Sequence, residues 1–132
     1  MDKKGLKRDY KHSHRSMGVY QIRNLGNEKV LVGSTLNLPG IFNRHQFQLK
    51  MNAHPNKSLQ TDWNKLGSEN FAFEILEELF PRENPAYDYE ADLTCLEDLW
   101  LEKLEPYGDK GYNEKKKTTE ERLRMIADNR LR

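Results

Sequence analysis

The sequence has little cysteine and no long apolar run. Its single cysteine, Cys95, cannot form an internal disulfide or a zinc site with other cysteines, so we expect a reducing compartment, the cytoplasm. No apolar stretch approaches the ~20 residues of a membrane-spanning helix, and the lysine-rich start lacks the apolar stretch of a secretory signal. The 132 residues therefore predict one domain with a modest core and no membrane partner.

Charged residues are abundant, but the net charge is only +1 and is unevenly distributed. Residues 1–16 carry six basic and two acidic side chains, and residues 114–132 carry seven basic and four acidic ones, so the part between them is acidic. One interpretation of these basic ends is that they bind nucleic acid. An equally weighted interpretation is that they are merely solvated and disordered. In the first interpretation, the substrate-binding residues of the N-terminal arm are Lys3, Lys4, Lys7, Arg8, Lys11 and Arg15.

Three segments have the pattern of β-strands. Side chains alternate with a period of two over residues 17–22, and a β-branched run follows over 29–33. Between them, residues 24–27 (Asn-Leu-Gly-Asn) are of types that form tight turns, so the two strands should make a hairpin. Residues 71–79 predict a third strand, in which apolar and acidic side chains are interleaved.

Four segments have the pattern of helices. The first should begin near Pro39, which suits the first turn, and run to about residue 51. The second spans 57–66 and stops at a glycine, and the third runs from about 90 to 104. The last should run to about residue 131 after a capping box of Thr118 with Glu121.

Two polar residues lie on apolar helix faces. His45 is on the apolar stripe of the first helix, where a hydrogen-bonded core histidine is the more common case. Glu97 follows Leu93 by four residues and precedes Trp100 by three, so it lies on the apolar stripe of the third helix. A carboxylate there is costly unless it is paired, protonated or bound to a cation. The alternative is a half-exposed glutamate at the edge of the stripe.

The order and spacing of several short motifs resemble those of the GIY-YIG nuclease family. The resemblance begins with Gly18-Val19-Tyr20 and Leu31-Val32-Gly33 and covers residues 17–113. Its further matches are Ser34, Arg44-His45, Asn64-Lys65, Phe73-Glu74-Ile75-Leu76, Glu97, Trp100 and Gly111-Tyr112-Asn113. The resemblance implies an α+β fold, a three-stranded antiparallel sheet flanked by helices. We expect three parts: a basic arm (1–16), the nuclease-like domain (17–113) and an extra C-terminal basic helix (114–132).

The resemblance also implies a site. Tyr20 matches the general base, Glu97 the ligand of a divalent metal (Mg²⁺ or Mn²⁺), His45 a supporting histidine and Asn113 an asparagine that shapes the site. We expect Tyr20, His45 and Glu97 to converge on one sheet face. A tyrosine needs nearby positive charge to act as a base at neutral pH, since its free pKa is ~10.

Two positions depart from the family pattern. Leu31 stands where the family has its second tyrosine, and Ile41 where it has the phosphate-binding arginine of the first helix. Arg44, one turn further along the helix, is the candidate to contact phosphate in place of that arginine.

Two hypotheses follow, and a third is weaker. The first is a metal-dependent DNA endonuclease with a modified site that uses Tyr20, His45, Arg44, Glu97 and Asn113. The second is a catalytically inactive relative that binds nucleic acid or a protein partner. The third is an unrelated small α/β binding domain. Retention of Glu97 favours the first hypothesis, whereas Leu31 and Ile41 favour the second.

Overall fold

The structure, a computed structural model, describes residues 16–81, 87–115 and 119–130. The six predicted substrate-binding residues of the N-terminal arm, and Thr118 of the predicted capping box, lie outside these ranges.

Three strands form an antiparallel sheet, as the sequence predicts. They are β1 (Met17–Asn24), β2 (Val30–Thr35) and β3 (Phe71–Leu79), in the order β2-β1-β3. The central strand β1 pairs Tyr20 with Gly33 of β2 and with Ile75 of β3. The register between β1 and β3 shifts by one residue at this point, so Tyr20 lies beside a β-bulge.

Four helices surround or follow the sheet within the described ranges. They are α1 (Leu38–Lys50), α2 (Lys57–Leu66), α3 (Tyr89–Leu104) and α4 (Thr119–Arg130). The side chains of Asn37, Asn56 and Asp88 cap the first three by accepting hydrogen bonds from backbone N–H groups of the first turn. The bounds agree with the prediction to within a residue or two, including the extra C-terminal helix, which buries none of its residues.

The sheet separates two apolar clusters, because successive side chains of a strand point to opposite faces. On one face, Ile22 packs with residues of α1 and α2, including Leu49 and Leu59. On the other face, Val19 and Val32 pack with α3. The register places the side chain of Tyr20 on the α1 and α2 face.

None of the helices in the described ranges is long and apolar enough to cross a membrane. Cys95 is exposed on α3 and forms no disulfide.

Candidate active site

A buried tyrosine and a buried histidine form the centre of the site. Tyr20 is 6% exposed, and its hydroxyl oxygen lies 2.9 Å from Nε2 of His45 on α1. The edge-on ring of Phe42 packs against the tyrosine ring, with 5.7 Å between the ring centroids. Across the β1–β2 pair, Gly33 makes room for the phenol, since a Cβ atom there would lie 2.6 Å from the hydroxyl oxygen. The glycine of the second motif therefore shapes the tyrosine pocket.

A second histidine extends this contact. Nδ1 of His45 lies 2.8 Å from Nε2 of His54, whose Nδ1 accepts a hydrogen bond from the backbone N–H of Asn56 at 3.0 Å. Both imidazoles are buried, and burial lowers both pKa values, that of His45 to about 4. The positive charge of Arg44 adds to the effect on His45, as does that of His54 when its ring is protonated. Both rings are therefore neutral at pH 7.

Sequence reasoning missed His54. The residue lies in the short segment between the first two predicted helices, directly before Pro55, and no spacing rule links it to His45. The contact exists because the loop between α1 and α2 folds back over α1. The available local signal is the proline, which restricts the backbone of His54 to extended conformations, but this does not reveal what the ring contacts.

Glu97 reaches the site from another direction than predicted. Its half-buried carboxylate accepts a hydrogen bond from the hydroxyl of Ser34, at 2.9 Å. Ser34 pairs with Val19, and helix α3 packs against Val19. The expectation that Glu97 shares one sheet face with Tyr20 and His45 is therefore wrong: α3 lies on the opposite face, and Glu97 meets the site at strand β2.

The electrostatic effect of Glu97 nevertheless reaches the phenol. Burial raises the pKa of Tyr20 to about 12, the negative charge of Glu97 adds to this, and the positive charge of Arg44 opposes it. Without a further cation, the Tyr20 phenol keeps its proton at neutral pH. The exposed Arg44 side chain lies close enough to act on both Tyr20 and His45.

Asn113 lies at the outer edge of β2. Its side-chain oxygen accepts a hydrogen bond from the backbone N–H of Val32, at 2.8 Å, and its side-chain nitrogen donates to the carbonyl of the same residue, at 2.9 Å. The neighbouring Tyr112 donates its backbone N–H to the carbonyl of Val30. The Asn113 side chain thus holds the backbone of Val32, the residue between Leu31 and Gly33.

A cavity of about 630 Å³ opens beside the two histidines. His45 and His54 form part of its wall, Leu31 supplies an apolar surface, and Lys29 and Lys57 supply positive charge. The cavity is large enough for part of a nucleotide, and its two lysines suit a phosphate, whereas Glu114 adds one negative charge to the wall.

A divalent cation would be held mainly by Glu97. Across residues 16–81, 87–115 and 119–130, no three side chains of His, Cys, Asp or Glu are grouped so that they could hold an ion. A single carboxylate still fits Mg²⁺, which is usually bound by one or two carboxylates and keeps several waters. Glu97 is half-buried, and its hydrogen bond from Ser34 uses only one of its carboxylate oxygens, which leaves lone pairs available.

Comparisons with known proteins identify the family. The model of the GIY-YIG catalytic domain matches residues 16–113. The chain belongs to the GIY-YIG family. The sequence resemblance is thereby confirmed, together with the sheet and helices that it implies.

Individual proteins of known sequence or structure are similar to this chain. Intron-associated endonuclease 1 of Enterobacteria phage T4 is 36% identical over 88 residues, which are 66% of this chain and 32% of the relative. This chain therefore spans about a third of that relative's length. A mutant of the catalytic domain of intron endonuclease I-TevI superposes with a TM-score of 0.62 at 31% identity, covering 78% of this chain and 97% of that one. Another structure, of the catalytic domain of homing endonuclease I-TevI, gives the same TM-score and identity and covers 76% and 99%.

Both departures from the GIY-YIG pattern lie on elements that carry the site, β2 and α1. Leu31 is on the Tyr20 side of β2, two residues from Gly33, where it packs against the α1 and α2 cluster and borders the cavity. Ile41 is half-buried, four residues before His45 on α1, so the two side chains lie on one helix face. Arg44 precedes His45 directly and is exposed.

Proposed function

We propose that this GIY-YIG protein is a divalent-metal-dependent endonuclease that hydrolyses DNA phosphodiester bonds with a modified site, in the cytoplasm. The observation that supports this most is the pairing of a buried phenol with a half-buried carboxylate whose charge acts on it. The relatives of similar sequence and structure are named endonucleases, which supports the same reaction class.

Phosphodiester hydrolysis requires a base for the attacking water and neutralisation of the charge that develops on phosphorus. Tyr20 is the proposed base, and His45 holds its hydroxyl in place. Arg44 is the proposed phosphate contact, because it is exposed and its charge already acts on the tyrosine. Asn113 acts indirectly, by holding β2 beside the phenol.

Glu97 is the proposed ligand of Mg²⁺ or Mn²⁺. When bound, such an ion supplies positive charge to the phosphate and offsets the carboxylate charge that keeps Tyr20 protonated. Glu97 raises the pKa of Tyr20, so by itself this carboxylate opposes the proposed base.

DNA would be held by positive charge on both sides of the site. Arg44 lies beside the tyrosine, and Lys29 and Lys57 line the cavity next to the histidines. We propose that the N-terminal arm, with its basic residues between Lys3 and Arg15, adds contacts to the DNA backbone.

Metal dependence provides the first test. With supercoiled plasmid and Mg²⁺ or Mn²⁺, we expect nicked circles, which gel electrophoresis separates from supercoiled DNA. An excess of EDTA should abolish nicking, and further Mg²⁺ should restore it. Nicking that persists in EDTA, or no nicking with either ion, would contradict the proposal.

A second candidate is an inactive family member that binds nucleic acid or a protein partner. It is favoured by Leu31 and Ile41, which replace a tyrosine and an arginine of the family pattern. In that case a gel-shift assay would detect binding, or a partner would be found, while the plasmid stays supercoiled under all metal conditions.

Gly33 provides a test of the tyrosine pocket. In Gly33→Ala, the new Cβ would lie 2.6 Å from the Tyr20 hydroxyl oxygen, so the ring must shift from the position in which it contacts His45. Because a misplacement of about 1 Å can cost on the order of 10²-fold in rate, we expect nicking to fall by about that factor. The measurement is the initial nicking rate, with circular dichroism to confirm folding.

Gly26→Ala is the matched control, because Gly26 lies in the hairpin turn and faces asparagine side chains at 3.2 Å or more. If both alanine variants nick at the wild-type rate, Gly33 does not shape a catalytic pocket.

A further inference from the structure

Three hydrogen bonds in series connect a backbone amide to the Tyr20 oxygen. The backbone N–H of Asn56 donates to Nδ1 of His54, at 3.0 Å. Nε2 of His54 lies 2.8 Å from Nδ1 of His45, and Nε2 of His45 lies 2.9 Å from the Tyr20 hydroxyl. This series joins the N-cap residue of α2 to the central strand β1 through two buried rings.

The amide at the start of the series fixes its direction. A backbone N–H can only donate, so Nδ1 of His54 is an acceptor and carries no proton. The proton of a neutral His54 ring is therefore on Nε2, which must donate to Nδ1 of His45. His45 then carries its own proton on Nε2, and this proton can only be donated to the Tyr20 oxygen.

The opposite direction is excluded by the same geometry. If the Tyr20 hydroxyl donated to His45, His45 would donate from Nδ1 to Nε2 of His54, and a neutral His54 would carry its proton on Nδ1. That proton would then point at the backbone N–H of Asn56, so two donors would face each other. Charged rings are also disfavoured, since burial lowers both histidine pKa values.

We propose that His54 is a positioning residue that holds His45 in the Nε2–H form, so that His45 donates a hydrogen bond to the Tyr20 oxygen. The assignment of the protons follows from the hydrogen-bond geometry of two neutral rings, whereas its catalytic meaning rests on the proposed nuclease function. A hydrogen bond donated to the phenol oxygen stabilises its ionised form, which is the form that accepts a proton from water. The proton of Tyr20 itself is left to point away from His45.

The same assignment excludes one role for His45. Because Nε2 already holds a proton and Nδ1 accepts one from His54, a neutral His45 cannot remove the proton of Tyr20. The tyrosine proton must therefore leave in a direction other than towards His45.

Nitrogen NMR of the histidine rings tests the proton assignment without any cleavage assay. In ¹⁵N-histidine-labelled protein at pH 7, we expect both His45 and His54 to show a protonated Nε2 and an unprotonated Nδ1. Resonances are assigned by comparison with His45→Gln and His54→Gln. A protonated Nδ1 on either ring would overturn the proposal, whatever the activity of the protein.

Two substitutions at His54 test the positioning role. The amide of His54→Gln can still donate to Nδ1 of His45, whereas His54→Phe keeps a ring but has no donor. We expect His54→Phe to give His45 a mixture of the two neutral forms and to lower kcat about 10- to 100-fold with KM unchanged, as for other residues that orient a functional histidine. We expect His54→Gln to keep most of the Nε2–H form and to lose less in kcat.

The two kinds of failure are distinguishable. If the wild type does not nick DNA but the ring nitrogens are protonated as expected, the nuclease function fails and the hydrogen-bond direction stands. If the wild type nicks DNA and His54→Phe keeps both the Nε2–H form of His45 and full kcat, His54 is not a positioning residue. Thermal melting of each variant is followed by circular dichroism, so that kcat values are compared only between folded proteins.

Discussion

Glu97→Gln is expected to lower metal-dependent nicking by at least about 10²-fold, a typical loss when one group that stabilises transition-state charge is removed. Glutamine has the same shape and can still accept the hydrogen bond from Ser34, but it has no charge to hold a divalent cation. The measurement is the initial rate of plasmid nicking over a range of Mg²⁺ and Mn²⁺ concentrations. If the loss comes from weaker metal binding, high Mn²⁺ should restore part of the rate.

Whether Glu97→Gln lowers or raises the nicking rate distinguishes two roles of Glu97, that of metal ligand and that of tuning the pKa of Tyr20. The carboxylate raises the pKa of Tyr20, so its neutralisation alone would make the phenol easier to ionise and would raise the rate at neutral pH. A loss of activity therefore requires that Glu97 does something other than tune Tyr20. Glu102→Gln, at an exposed position on the same helix, is the matched control and should nick at the wild-type rate. A Glu97→Gln variant that is as active as this control would eliminate the metal-ligand proposal.

Ile41→Arg is expected to raise the nicking rate, by at least about tenfold if Arg44 supplies only part of the phosphate contact. An arginine that stabilises transferring phosphoryl groups contributes on the order of 10³ to 10⁵ in rate in other enzymes, which sets the upper range. Position 41 lies on the His45 face of α1, so an arginine there would extend along that face towards the Tyr20–His45 pair. The measurement is the initial nicking rate at saturating Mg²⁺, with DNA binding measured separately by gel shift.

Two comparisons make the Ile41 result specific. Ile41→Gln has a long polar side chain without charge and should not accelerate nicking. Arg44→Gln tests the alternative that Arg44 already fills the role. If Ile41→Arg gives no gain and Arg44→Gln causes a loss of 10²-fold or more, the phosphate contact has moved one turn along the helix. If neither variant changes the rate, no arginine on α1 contacts the scissile phosphate.

Much of the fold could be predicted because its signals are local. The hairpin turn at residues 24–27, the stop of α2 at Gly67 and the alternation over 71–79 each depend on the conformational preferences of neighbouring residues. The Tyr20–His45 pair was also expected, since the family motifs name both residues and the structure places them in contact.

The rest depends on contacts between distant residues. His54 reaches the site because the loop between α1 and α2 folds back over α1. The position of α2 on the sheet therefore determines that His54 contacts His45. Glu97 lies on the predicted stripe of α3, but periodicity cannot say which face of the sheet that stripe covers. Val19 and Val32 decide this by packing against Leu101, and the glutamate therefore reaches Ser34 from the opposite side.

The pairing of Asn113 and Tyr112 with β2 has a consequence for association between copies of the chain. Unpaired backbone groups on an outer strand are a template for strands from other molecules, and native proteins cover or shorten such strands. Here the segment around Gly111, Tyr112 and Asn113 occupies those groups at Val30 and Val32. A chain cut before Gly111 would expose the strand that carries Gly33 and would also remove Tyr112 from the core, so self-association is expected together with a loss of stability.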